Sequence, residues 1–157
     1  MKNKIRLGIL GGGGDSLIGI VHRIAASMHD SYEIIGGVFN PDYQENLKFA
    51  EEIGLNKNRI YADYEKMIEE ELKLDESKRI QVVSILTPNF LHYPMAKTLL
   101  ENNFNVICEK PMTTTFEEAL DLEKIYKSKN LTFAVTYTYT RYPMIRQMKE
   151  MIKSGVI

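Results

Sequence analysis

Two spacings of apolar residues alternate along the chain. Compact, mostly apolar runs at residues 5–10, 32–39, 80–86, 105–109 and 131–137 have the length and β-branched content of buried strands. Between them apolar positions recur every three or four residues, as in Ile18, Val21, Ile24, Ala25 and Met28, then Leu47, Ala50 and Ile53. That spacing predicts helices over 18–28, from Asp42 to about 53, 63–72, 90–101, from Thr115 to about 129, and 142–153. Several boundaries carry their own chemistry. Asp42 with Glu45 and Thr115 with Glu118 read as capping boxes, and Gly54 stands where a helix C-terminus favours glycine. The pair Ile60-Tyr61 is read as one further short strand, and residues 73–79 as a surface connection.

A strand followed by a helix, repeated about six times, argues for a parallel sheet with helices on both faces. The expected fold is therefore α/β, a doubly wound, Rossmann-like six-stranded sheet in an order such as 3-2-1-4-5-6. The length of 157 residues suits one domain, read as residues 1–140 with a terminal helix and hinge at 141–157. A net charge of -1, from 20 basic and 21 acidic residues, offers no broad attraction to nucleic acid or an anionic membrane. Cys108 is the only cysteine, which excludes an internal disulfide and a cysteine-built zinc site; no metal site is expected. Four glycines interrupt the first apolar run, and no leader peptide or membrane-length apolar stretch is read, so a cytoplasmic location is expected.

The candidate chemistry begins where the first strand runs into Gly11-Gly12-Gly13-Gly14 just ahead of a helix. Glycine permits a tight bend and lets backbone approach a pyrophosphate, while the helix start offers unpaired N–H groups and a positive dipole end. The spacing departs from Gly-x-Gly-x-x-Gly: after Gly11 and Gly13, Ser16 occupies the third place. Counted from Gly14, Ser16 is the middle residue and Gly19 the last, so the loop is about three residues longer than usual, with Gly19 kept for close packing. Ser16 could add a hydroxyl donor to phosphate. At the end of the second strand Asn40 replaces the acidic residue that selects NAD. Asn40 can bond a ribose hydroxyl without excluding a phosphate, so NAD and NADP both remain open, as does a plain turn role before Pro41.

Two further loops open on the same carboxyl edge of the sheet. They are Thr87-Pro88-Asn89-Phe90-Leu91-His92 and Glu109-Lys110-Pro111-Met112, each stiffened by proline. Together with the glycine loop and Ile18-Gly19-Ile20-Val21-His22, they resemble the N-terminal half of the glucose–fructose oxidoreductase, inositol dehydrogenase and rhizopine-catabolism family (Gfo/Idh/MocA). The closing Tyr142-Pro143 and Lys153-Ser154-Gly155-Val156-Ile157 resemble that family's hinge into its second domain.

The resemblance implies a nicotinamide dinucleotide cofactor held by Gly11, Gly13, Gly14, Ser16, Ile18, Asn40, Thr87, Pro88, Asn89, His92, Glu109 and Lys110. Thr87, Pro88 and Asn89 would meet the nicotinamide half, with His92 in the next turn, and Glu109 would position the nicotinamide ribose. Lys110 is the implied catalytic residue, orienting or polarising a substrate hydroxyl; burial beside a cationic ring would suit it to proton handling. His92 is equally readable as a packing residue, and His22 and His29 as structural ones.

The family's α+β substrate domain, which supplies its usual catalytic histidine and aspartate, would begin where this sequence stops, at Ile157. The expectation is a chain that binds dinucleotide and turns over little sugar unless a second domain or a partner completes it. Thr138-Tyr139-Thr140-Arg141-Tyr142 also departs from the family's commoner Asn-x-Arg-Phe. The leading reading is thus the cofactor domain of an oxidoreductase acting on a sugar, polyol or related hydroxyl compound, with homo-oligomerisation possible. A dinucleotide-sensing regulatory subunit is the alternative. A flavodoxin-like module fits the Glu-Lys-Pro loop poorly, and a DNA-binding role finds no basic face.

Overall fold

The computed structural model describes residues 4–157. Its strands are β1 (Ile5–Gly11), β2 (Tyr32–Val38), β3 (Val82–Leu86), β4 (Asn105–Cys108) and β5 (Phe133–Val135). Its helices are α1 (Leu17–Ser27), α2 (Tyr43–Glu52), α3 (Tyr64–Leu72), α4 (His92–Glu101), α5 (Phe116–Ser128) and α6 (Pro143–Lys153). The strands form one parallel sheet in the order β2-β1-β3-β4-β5.

The sheet has five strands rather than the expected six. The segment at Ile60-Tyr61 stays at the outer edge of β2, but only a single bridge, Gly37 to Ile60, joins it there. A 3-10 turn at Lys57–Arg59 leads into it. The Tyr61 N–H still bonds the Gly37 carbonyl at 3.1 Å, but the Tyr61 carbonyl accepts from the Asn46 side chain at 2.8 Å. With that carbonyl held by a side chain, the ladder does not extend. The expected winding therefore holds, with its third member reduced to one bridge.

Alternation along the strands sends apolar side chains into two cores. Leu7 and Ile9 pack with Ala26, Phe39, Phe49 and Ala50 beneath α1 and α2. Leu10, Val83, Ile85 and Val106 pack with Met67, Ile68, Leu99, Leu100 and Leu122 from α3, α4 and α5. Helix starts are fixed by Ser16, Asp42, Asp63 and a complete capping box of Thr115 and Glu118. α6 lies apart from both cores: Met151 is half-buried, and Met144, Ile145, Met148 and Ile152 are exposed.

The second core closes over Glu71, which has no exposed surface. Its carboxylate accepts from Arg59, from the Tyr61 hydroxyl and from the Ile80 N–H, so each buried oxygen finds a donor. Removing one partner of such a pair leaves a charge without compensation. Arg59→Met is expected to lower stability by about 2–3 kcal/mol, less than for a fully buried partner because the arginine side chain is 20% exposed. Urea unfolding checks this as a lowered midpoint at unchanged slope.

Candidate functional site

The glycine bend is set by contact between backbones. A Cβ on Gly19, in the first turn of α1, would lie 1.8 Å from the Gly12 carbonyl oxygen. The absence of that atom lets the start of α1 rest directly on the end of β1. Arg23, one turn on, donates to the same carbonyl at 2.7 Å and lies over the Phe49 ring. Gly13 passes close to the end of β2, where its N–H bonds the Phe39 carbonyl at 3.1 Å. Gly11, Gly12 and Gly14 all have positive φ, the left-handed region that favours glycine. Ser16 caps α1, its hydroxyl oxygen accepting from the Gly19 N–H at 3.3 Å.

Around this bend the carboxyl ends of β1, β2 and β3 enclose a largely apolar cleft of about 500 Å³. Gly11, Gly13, Asn40, Thr87 and Pro88, all singled out from the sequence, line it. So do Gly12 and Leu91, from the same loops, and Ala62, Asp63, Tyr64 and Met95, which were not assigned to the site. Asn40 commits its side-chain oxygen to the Asp42 N–H at 2.9 Å, and Asp42 in turn caps α2. Among the described residues, no lysine or arginine lines this cleft.

A second cavity, of about 410 Å³, opens at the ends of β4 and β5. Ile18, Glu109 and Lys110 line it together with Thr136, Tyr137, Tyr139 and Tyr142. The candidate residues thus divide between two cavities at one edge of the sheet. Lys110 is exposed, not buried as the proton-handling expectation required. Glu109 is half-buried among donors: His22 Nε2 at 2.9 Å, the Thr136 hydroxyl at 2.5 Å and the Lys110 N–H at 3.2 Å. Burial opposes its ionisation, but these hydrogen bonds outweigh burial and hold the carboxyl below its ordinary range. Neighbouring Cys108 is sealed in the core, and burial beside Glu109 pushes its thiol up to about 12.

Four candidates line neither cavity. Gly14 and Asn89 are exposed, and Ser16 is half-buried at its cap. His92 is 1% exposed, with Nε2 2.8 Å from the Thr87 carbonyl and Nδ1 2.7 Å from the Pro111 carbonyl. Each ring nitrogen faces a carbonyl of a different loop, so the enclosed ring packs between the two loops, which is the packing reading of this residue. Among the described residues no helix is long and apolar enough to cross a membrane, and no group of three metal-ligating side chains occurs.

The residues missed in the sequence differ in how visible they were. Ala62 and Asp63 end the short third β segment, so the rule that loops open at carboxyl ends applied to them as well. His22 and Glu109 are 87 positions apart, and no spacing signals that pair.

A parallel sheet with a glycine bend under the first helix, at the edge where ligand loops gather, defines a dinucleotide-binding Rossmann-type domain. Residues 5–137 match the family model described as "Oxidoreductase family, NAD-binding Rossmann fold", and the chain belongs to that family, Gfo/Idh/MocA. An uncharacterized oxidoreductase of Bacillus subtilis, YfiI, is 35% identical over the whole of this chain and 40% of its own length. An oxidoreductase structure from Pseudomonas syringae superimposes with a TM-score of 0.92 at 38% identity, over 99% of this chain and 42% of that one. An inositol dehydrogenase homolog from Azotobacter vinelandii, complexed with NADH and myo-inositol, gives a TM-score of 0.90 at 35% identity, over 99% and 40%. The chain therefore spans about 40% of the length of these relatives.

The Gly12–Gly19 contact leaves no room for a side chain. Gly19→Ala is expected to cost about 2 kcal/mol or more, since backbone on both sides has to move. Thermal unfolding by circular dichroism checks this. The same variant is expected to lose NADH binding when titrated below its melting range.

Proposed function

We propose that this chain is the cofactor-binding part of an NAD-dependent oxidoreductase that moves hydride to and from a hydroxyl-bearing carbon of a sugar, polyol or related compound. The observation that carries the reading is the pairing of two cavities at one sheet edge, one around the glycine bend and one around Glu109, Lys110 and three tyrosines. The Azotobacter vinelandii relative, in complex with NADH and myo-inositol, supports the substrate class.

The residues present fit a dinucleotide. The bend has room for close backbone approach that Cβ atoms would deny, and of the N–H groups in the first turn of α1 those of Leu17 and Ile18 would serve a diphosphate, Ser16 capping that of Gly19. The apolar cleft between Asn40, Tyr64 and Met95 accepts the adenosine half, and Thr87 and Pro88 form its floor toward the nicotinamide half. When bound, the nicotinamide supplies the hydride chemistry. Ile18 and the tyrosines cover the apolar side of the second cavity, while Glu109 presents a fixed anion there. Lys110 reaches that cavity from a loop stiffened by Pro111 and is the residue to orient the substrate hydroxyl. A substrate-covering wall would come from a further domain or a partner.

The electrostatics of the first cleft support NAD over NADP. A 2′-phosphate there would face Asp63 with no lysine or arginine among the described lining residues. NADPH is expected to bind roughly tenfold or more weaker than NADH, a difference of about 1.4 kcal/mol per tenfold. Titration following nicotinamide fluorescence measures both, and equal affinities would remove the NAD assignment. Lys110→Ala is expected to leave ADP-ribose affinity and folding unchanged while altering the fluorescence of bound NADH. Loss of folding in that variant would refute the role given to Lys110.

A further inference from the structure

Glu109 is gripped by side chains from separate parts of the fold. His22 projects from α1, 2.9 Å from Oε1, and the Thr136 hydroxyl beyond β5 donates to the same oxygen. Behind the imidazole, Ser84 Oγ in the middle of β3 lies 3.0 Å from Nδ1. The histidine and glutamate side chains are only 13% and 12% exposed, and Ser84 is 1% exposed. Serine, histidine and glutamate here share the connectivity of a nucleophile, its base and an orienting acid. The serine, however, is enclosed by the sheet and meets no cavity, so its hydroxyl serves to fix the ring. With the Nε2–H directed at the carboxylate, Nδ1 of the neutral ring accepts from the Ser84 hydroxyl.

We propose that His22 is a positioning residue for the nicotinamide end of the site: backed by Ser84, it holds the Glu109 carboxylate in the second cavity beside Lys110. The inference rests on the cofactor reading of the two cavities. It assigns a task to a residue that faces neither cavity itself. A half-buried carboxylate next to an exposed lysine would otherwise be free to swing to solvent or to that ammonium. The contact also joins the phosphate-side helix to the Glu-Lys-Pro loop, so that the two ends of a bound dinucleotide share one rigid frame.

Histidine's two nitrogens have separate mimics, which makes the proposal testable. Glutamine carries a donor near the position of Nε2, and asparagine a polar atom near that of Nδ1. His22→Asn is expected to weaken NADH binding roughly three- to tenfold, less than the whole of the lost hydrogen bond to Glu109 because the effect reaches the cofactor only through that carboxylate. His22→Gln is expected to stay near wild type, and ADP-ribose affinity to be unchanged in both. Nicotinamide fluorescence and calorimetry supply the two readings on the same chain. If Asn and Gln variants behave alike, or if ADP-ribose binding falls in step with NADH, His22 is a packing residue and the proposal fails. Should His22→Asn not fold, Thr136→Val removes the other donor to the same oxygen and is expected to give the same selective loss, restored in Thr136→Ser; no selective loss there overturns the proposal equally. Failure of the unaltered chain to bind either ligand would instead refute the cofactor reading itself.

Discussion

The contact between Gly12 and Gly19 is the constraint on which the rest of the structure depends. A helix normally stands off from a strand by the thickness of its side chains. Here no Cβ intervenes, and the first turn of α1 meets the backbone at the end of β1. That approach turns the helix's unpaired N–H groups toward the space above the sheet. It also sets the height of His22, one turn further along, and so the point at which the Glu109 carboxylate is caught. Arg23 reinforces the same joint by bonding the Gly12 carbonyl.

From that joint the carboxyl edge is built as a set of mutually tied loops. His92 links the Thr87 and Pro111 carbonyls, Asn46 links Phe39 to Tyr61, and His22 links α1 to Glu109. Each tie uses a buried or half-buried polar side chain with partners at both ends, which removes freedom from two segments at once. A site assembled from loops gains in this way the rigidity that ligand positioning needs. The cleft around the glycine bend is lined from the ends of β1, β2 and β3 and the segments that follow them. The cavity around Lys110 is walled by tyrosines, and α6 carries apolar residues on its exposed face.

Much of this was legible in the order of residues. The alternation of apolar periods marks every long strand and helix, because burial on a sheet face and on a helix face impose different spacings. Asp42, Asp63 and Thr115 mark helix starts, since unpaired N–H groups need acceptors that follow from local sequence alone. The glycines and the Thr-Pro-Asn and Glu-Lys-Pro loops name the ligand edge and the family.

The tertiary structure decided what depends on partners distant in sequence. Ile60 and Tyr61 read as a strand by composition, yet the Asn46 side chain takes the Tyr61 carbonyl that a strand would use. His92 reads equally as a ligand or a packing residue in its motif, and only the fold shows both nitrogens facing loop carbonyls. Lys110 was expected in a buried setting, and its exposure is a property of the surrounding chain. Local periodicity, capping and turn chemistry act over a few residues and are written in the sequence. The pairing of His22 with Glu109 and the sharing of polar groups at the sheet edge depend on which surfaces packing brings together, and no short-range pattern encodes that.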